Sequence, residues 1–135
     1  MLLGIMDWMK DPQVDLRFQG RPDWAKHFVY GAYAGLGAFR YSIAKAAAYE
    51  VEMRHVSQPG NYFDYDDYAA SLLGIRWSME LYNSRDKKAY IVKWASGKRL
   101  LAALPQLRFG HPKPNERPDG AKLRRIDEYA RLLMK

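Results

Sequence analysis

His27-Phe-Val-Tyr-Gly31-Ala-Tyr-Ala-Gly35-Leu-Gly37-Ala-Phe-Arg40 is the stretch on which the fold turns. Residues 24–56 have helical composition throughout, yet glycine costs about 1 kcal/mol relative to alanine inside a helix, and Gly35 and Gly37 sit near its middle. An unbroken helix would hold His27 and Glu50, 23 residues on, about 34 Å apart. A turn at Gly35–Gly37 would instead fold the segment into a helical hairpin and reduce their axial offset to about 7 Å. The competing role for Gly31, Ala34, Gly35 and Ala38 is close packing, because a row of small residues lets two helix backbones approach.

The flanks supply punctuation. Asp23, after Pro22, is a candidate N-cap whose carboxylate can accept the first unpaired amides of the helix. Ser57-Gln-Pro-Gly-Asn61 carries proline and glycine in the order of a type II turn. Asp64-Tyr-Asp66-Asp67 then suits a helix start, and Tyr68, Leu72, Ile75, Met79 and Tyr82 form a stripe at helical spacing until Asn83-Ser-Arg-Asp86 interrupts it. A further helix is predicted from Ala89 to Leu104, kinked near Gly97, with Tyr90, Trp94, Leu101 and Leu104 as buried candidates. A short strand at Tyr90-Ile-Val-Lys-Trp94 is the alternative. Gly110-His-Pro-Lys-Pro-Asn-Glu-Arg-Pro-Asp-Gly120 reads as a proline-rich loop. Ala121–Met134 follows as a short helix with Ile126, Tyr129, Ala130 and Leu133 on one face.

The predicted architecture is therefore mainly α: a small helical bundle built on a helical hairpin, with a proline-rich basic C-terminal arm. Residues 1–22 form an N-terminal segment and linker, 23–104 the helical core, and 105–135 the arm and terminal helix. A chain of 135 residues suits one core, and 48% hydrophobic residues argue against disorder. The absence of cysteine excludes disulfides and thiolate metal sites. Met1-Leu-Leu-Gly-Ile-Met6 reaches Asp7 with no basic region before it, so no cleavable signal peptide is expected. Phe28–Val51, the most apolar stretch, is interrupted by Arg40, Lys45 and Glu50 and is expected to be core rather than a membrane span.

Charge is unevenly placed. Residues 1–84 carry eight Lys/Arg and ten Asp/Glu, whereas residues 85–135 carry fourteen and five. Lys98, Arg99, Arg108, Lys113, Lys122, Arg124 and Arg125 are the candidate polyanion-binding residues, for a nucleic acid or an anionic membrane surface. The other reading is a solvated, solubilising face.

His27, Glu50 and Asp67 are the candidate catalytic residues, and with Asp64 the candidate metal ligands. One imidazole with two or three carboxylates can hold a divalent cation or act as an acid/base pair. The plainer reading makes His27–Glu50 a buried hydrogen bond and leaves Asp23, Asp64 and Asp67 as helix caps. The spacing is not that of a zinc-protease helix motif, Gly35-Leu-Gly37 lacks the strand context of a dinucleotide loop, and Ser42, Ser57 and Ser71 lack a nucleophile elbow. His55 and His111 are expected at the surface. Trp8, Trp24, Trp77 and Trp94 are expected as core or interface anchors.

Asp23-x-x-Lys26-His27-Phe28, the alanine-rich run ending in Glu50, Pro59-Gly60, and Asp64-x-x-Asp67 before Ala69-Ala70 and Gly74 resemble the YfiM-like lipoproteins over about residues 23–76. The opening segment is more distantly similar to VanZ-type sequences. The resemblance implies a compact helical hairpin with an added helix, often envelope-associated, with His27, Glu50, Asp64 and Asp67 at its polar anchors. Tyr49 and Met53 depart from the lysine and the acidic residue common there, the segment from His27 to Glu50 is short, and no lipobox cysteine exists.

These readings give two expectations. The first is a structural or interaction protein, such as a virion component or an envelope-associated accessory protein. It would engage a protein partner or another copy of itself through the basic C-terminal part, and would be virion-borne, cytoplasmic or membrane-peripheral. No cofactor is predicted for it. The alternative is a metal-dependent or acid/base hydrolase using His27, Glu50 and Asp67, with a divalent metal as its cofactor.

Overall fold

The computed structural model describes residues 22–37, 40–95 and 108–133, apart from the side chains of 22–25, 94 and 95. The chain is a mainly α helical bundle, with no strand among the described residues. Its helices are α1 (Pro22–Gly37), α2 (Tyr41–Val56), α3 (Tyr65–Asn83), α4 (Lys87–Ala95) and α5 (Gly120–Leu133). None is long and apolar enough to cross a membrane. The N-terminal segment to residue 21, Gly97, Lys98, Arg99, Leu101, Leu104 and the side chains of Asp23, Trp24 and Trp94 lie outside the described residues.

The helix at the centre is α3. Of the expected stripe, Tyr68, Leu72 and Ile75 are buried, Met79 is half-buried and Tyr82 is exposed, while Ala69, Ala70, Ser71, Leu73 and Gly74 beside it are buried as well. A helix covered on every side must be apolar on every side, and α1, α2, α4 and α5 all pack on this one. Its start is well specified: Asp64 Oδ1 accepts the amide N–H groups of Asp66 and Asp67 at 3.0 and 3.1 Å.

Glycine sets the most intimate packing, α1 against α3. A Cβ at Gly31 would fall 2.0 Å from the Ser71 carbonyl oxygen, and one at Gly74 would fall 1.9 Å from that of Phe28. Gly35 is equally confined, against Ser78 and Ile75, whereas Gly37 meets nothing. Gly31 and Gly35 are therefore packing residues inside a continuous α1, and the chain breaks after Gly37, ahead of Tyr41.

The turn after α2 is as the sequence predicts. The Asn61 amide donates to the Gln58 carbonyl at 3.2 Å across Pro59-Gly60, with Gly60 at φ 80°. Tyr90-Ile-Val-Lys-Trp94 is helical, within α4.

The C-terminal segment lies back along the bundle. Phe109 N–H donates to Asp66 Oδ1 at 2.8 Å, Tyr65 N–H to the Gly110 carbonyl at 3.1 Å, and Asp119 N–H to the Tyr65 hydroxyl at 2.9 Å. α5 then buries Ile126 and Ala130 completely against the core. His111 is exposed and stacks on Tyr62, with ring centroids 3.7 Å apart.

Candidate cation centre

α1 brings His27, α2 brings Glu52 and the first turn of α3 brings Asp67 to one place. His27 Nδ1 is 3.6 Å from Glu52 Oε1, and His27 Nε2 is 3.2 Å from Asp67 Oδ2. One ligand-capable atom from each residue lies within 4.8 Å of the others. Ser71 Oγ stands 3.5 Å from His27 Nδ1, and His55 Nδ1 is 3.8 Å from Glu52 Oε2.

Glu50, the expected partner of His27, is exposed and takes no part. The reason is helical phase: two residues turn a side chain by about 200°, so when Glu52 faces inward Glu50 faces out. Glu52 continues the row Ala44, Ala48, Val56 at four-residue intervals, which runs along the inner side of α2. That spacing was the available signal, a carboxylate on an apolar stripe. Asp64 keeps to its capping role and is not one of the three converging residues.

The electrostatics of this cluster are unbalanced. Glu52 is only 1% exposed, and among the described residues neither of its oxygens has a partner at hydrogen-bonding geometry; Asp67 Oδ1 is also buried without one. Burial, reinforced by the charges of Asp67 and Asp64, raises the Glu52 pKa to about 7, although His27 and the Asp64 amide favour its charge. For His27, burial is the largest influence and opposes protonation. The hydrogen bond and charge of Asp67, with the charges of Glu52 and Asp64, outweigh it and raise its pKa above the ordinary histidine value. Without an added cation, protons are the available source of compensating charge.

His27 and Ser71 also line an apolar groove of about 340 Å³ between α1 and α2, whose other walls include Tyr30, Ala34, Ala47 and Val51. The cluster therefore has a solvent-reachable side, with His27 and Asp67 at 16% and 14% exposure.

The sequence-predicted cations fall elsewhere. Arg108, Lys113, Arg124 and Arg125 are exposed, and Lys122 sits over the Tyr65 ring at 4.8 Å. Comparison of the chain with protein-family models, curated proteins and solved structures gives no match. The resemblance to YfiM-like sequences thus rests on the residues quoted for it.

Proposed function

We propose that this chain is a divalent-cation-dependent hydrolase whose ion is held by His27, Glu52 and Asp67. The observation that carries the reading is the Glu52 carboxylate, buried with neither oxygen hydrogen-bonded among the described residues, facing an imidazole and a second carboxylate. A buried carboxylate without partners is costly, and a divalent ion would complement two carboxylates while using the imidazole as a neutral donor. Mixed nitrogen and carboxylate donors suit Zn²⁺ or Mn²⁺.

A cation with three protein ligands retains positions for water and substrate and acidifies the bound water, which is the chemistry of hydrolysis. The protein's own contribution is orientation. Close α1–α3 packing fixes His27 opposite Asp67, and the groove supplies an apolar wall beside Ser71 Oγ for the non-reacting part of an ester substrate.

The test is titration of EDTA-treated protein with Zn²⁺ and Mn²⁺ by calorimetry, followed by hydrolysis of p-nitrophenyl esters of increasing chain length. One ion per chain, lost in Glu52→Gln and Asp67→Asn but retained in Glu50→Gln, is expected, with cation-dependent turnover. No saturable binding would sink the reading. Binding without turnover would leave the cation centre and remove the hydrolytic role.

The outer face of the C-terminal segment favours a second reading, as an interaction module. Arg108, Lys113, Arg124 and Arg125 are exposed without an ion-pair partner among the described residues. Capture on a polyanion such as heparin should then weaken steeply with salt. Salt-insensitive retention would count against it.

A further inference from the structure

A second cleft lies where α2, α3 and α5 meet, around Asp127. Its carboxylate accepts from the Tyr41 hydroxyl, from Lys45 Nζ at 3.0 Å and from Arg76 at 3.0 Å, while the Arg76 guanidinium lies 4.1 Å over the Tyr41 ring. The space beside this network is about 520 Å³, within the range of small-ligand sites.

Two features of the cleft are unexplained by the fold. Lys45, Arg76 and Arg124 line it against the single carboxylate of Asp127, a surplus of two positive charges. Tyr68, only 2% exposed, lines it too, and Nε of Arg76 is buried with no hydrogen-bond partner among the described residues. A buried donor without an acceptor, on a residue that lines a cleft, can serve an acceptor on a ligand. The rest of the lining includes the aromatic Tyr49 and the aliphatic Ala46 and Leu123.

We propose that this cleft binds a small phosphomonoester with a flat apolar body, its phosphate taken by Lys45, Arg76, Arg124 and the Tyr68 hydroxyl. A phosphate dianion matches the charge surplus, and guanidinium with ammonium is the usual pairing for it. Aryl phosphates fit the aromatic and aliphatic wall. The site is independent of the cation centre, since none of the three residues there lines this cleft.

The experiment uses the full chain, EDTA-treated and carrying Glu52→Gln so that no bound metal can recruit phosphate. Calorimetric titration with phenyl phosphate, inorganic phosphate and phenol should show saturable binding of phenyl phosphate, weaker binding of inorganic phosphate, and none of phenol. Tyr68→Phe deletes the hydroxyl, and Lys45→Gln removes one cation together with its ion pair to Asp127. Each should weaken phenyl phosphate binding by about tenfold, as expected for a hydrogen bond to a charged group, with the melting curve retained. Absence of saturable binding at millimolar ligand, or undiminished affinity in either variant, would overturn the proposal. So would preferential binding to phosphatidylcholine vesicles containing phosphatidic acid over phenyl phosphate, which would make the ligand a lipid surface.

Discussion

Glu52 Oε1 lies 3.6 Å from His27 Nδ1 across the α1–α2 interface, and neither carboxylate oxygen has a partner at hydrogen-bonding geometry among the described residues. A charge held this way weakens the fold, and under the proposed function it would serve as a cation ligand. Glu52→Gln keeps the shape and removes the charge, so at pH 8 it is expected to stabilise the cation-free protein by about 1–3 kcal/mol. The parent protein is expected to gain melting temperature with Zn²⁺ or Mn²⁺, and the same variant to lose that gain. Thermal melts of both proteins in EDTA and in excess cation check this; a destabilised, still cation-responsive variant would refute it.

The cluster also predicts an unusual pH response. Raised pKa values mean that the native state holds protons the unfolded chain has released. The stabilising effect of the Glu52 proton is complete below 4.5 and is lost as pH rises to about 7, and that of the His27 proton is complete below 6.5 and lost above it. Cation-free protein should therefore melt at progressively lower temperature from pH 5 to pH 8. Asp127 works in the opposite sense, but only at the acid end, because Tyr41, Lys45 and Arg76 together overcome its burial and hold its pKa below 3.8. Cation binding requires deprotonated ligands and should strengthen over the same range. A flat or rising melting temperature in EDTA across this window would exclude the shared-proton account.

Gly31, Gly74 and Gly37 separate packing from backbone flexibility. Alanine at Gly31 or Gly74 would place Cβ about 2 Å from a carbonyl oxygen of the facing helix, and α1 would have to move away from α3. A loss of roughly 2–4 kcal/mol is expected for each, and at Gly31 weaker cation binding as well, because Ser71 and His27 sit at that contact. Gly37→Ala meets no neighbour and has no positive φ to forfeit, so it should stabilise by about 0.5–1 kcal/mol. Chemical denaturation of the three variants measures all of this, and equal effects at Gly31 and Gly37 would contradict the packing role.

Local signals in the sequence were legible where the physics is local. Asp64 caps α3, Pro59-Gly60 forms its turn, and Ile126 and Ala130 share a buried face, because each depends on neighbours within one helical turn. His27 and Asp67, singled out in the sequence for their chemistry, do converge. The alanine run points to Glu50 at its end, whereas helical phase relative to Ala44, Ala48 and Val56 decides that Glu52 is the carboxylate inside. The Asp127 network was beyond reach, since it joins Tyr41, Lys45, Arg76 and Asp127 across three helices whose mutual placement no local pattern encodes.

Asn115 ties the C-terminal segment to the end of α2. Its side-chain amide donates to the Val56 carbonyl at 2.7 Å and the Gln58 carbonyl at 2.9 Å, its side-chain oxygen accepts from Gly60 N–H at 3.3 Å, and its own N–H donates to Asn61 at 2.8 Å. It does so at φ 61°, a conformation asparagine tolerates and alanine resists. Asn115→Gly would lose the side-chain bonds but keep the backbone; Asn115→Ala would lose the bonds and add strain of about 1–2 kcal/mol. Alanine is therefore expected to be the more damaging of the two, by about 1 kcal/mol in denaturant titrations, with faster amide exchange at Tyr65, whose N–H is held by Gly110. If glycine were instead the worse substitution, the left-handed backbone at this position would not be what fastens the segment to the bundle.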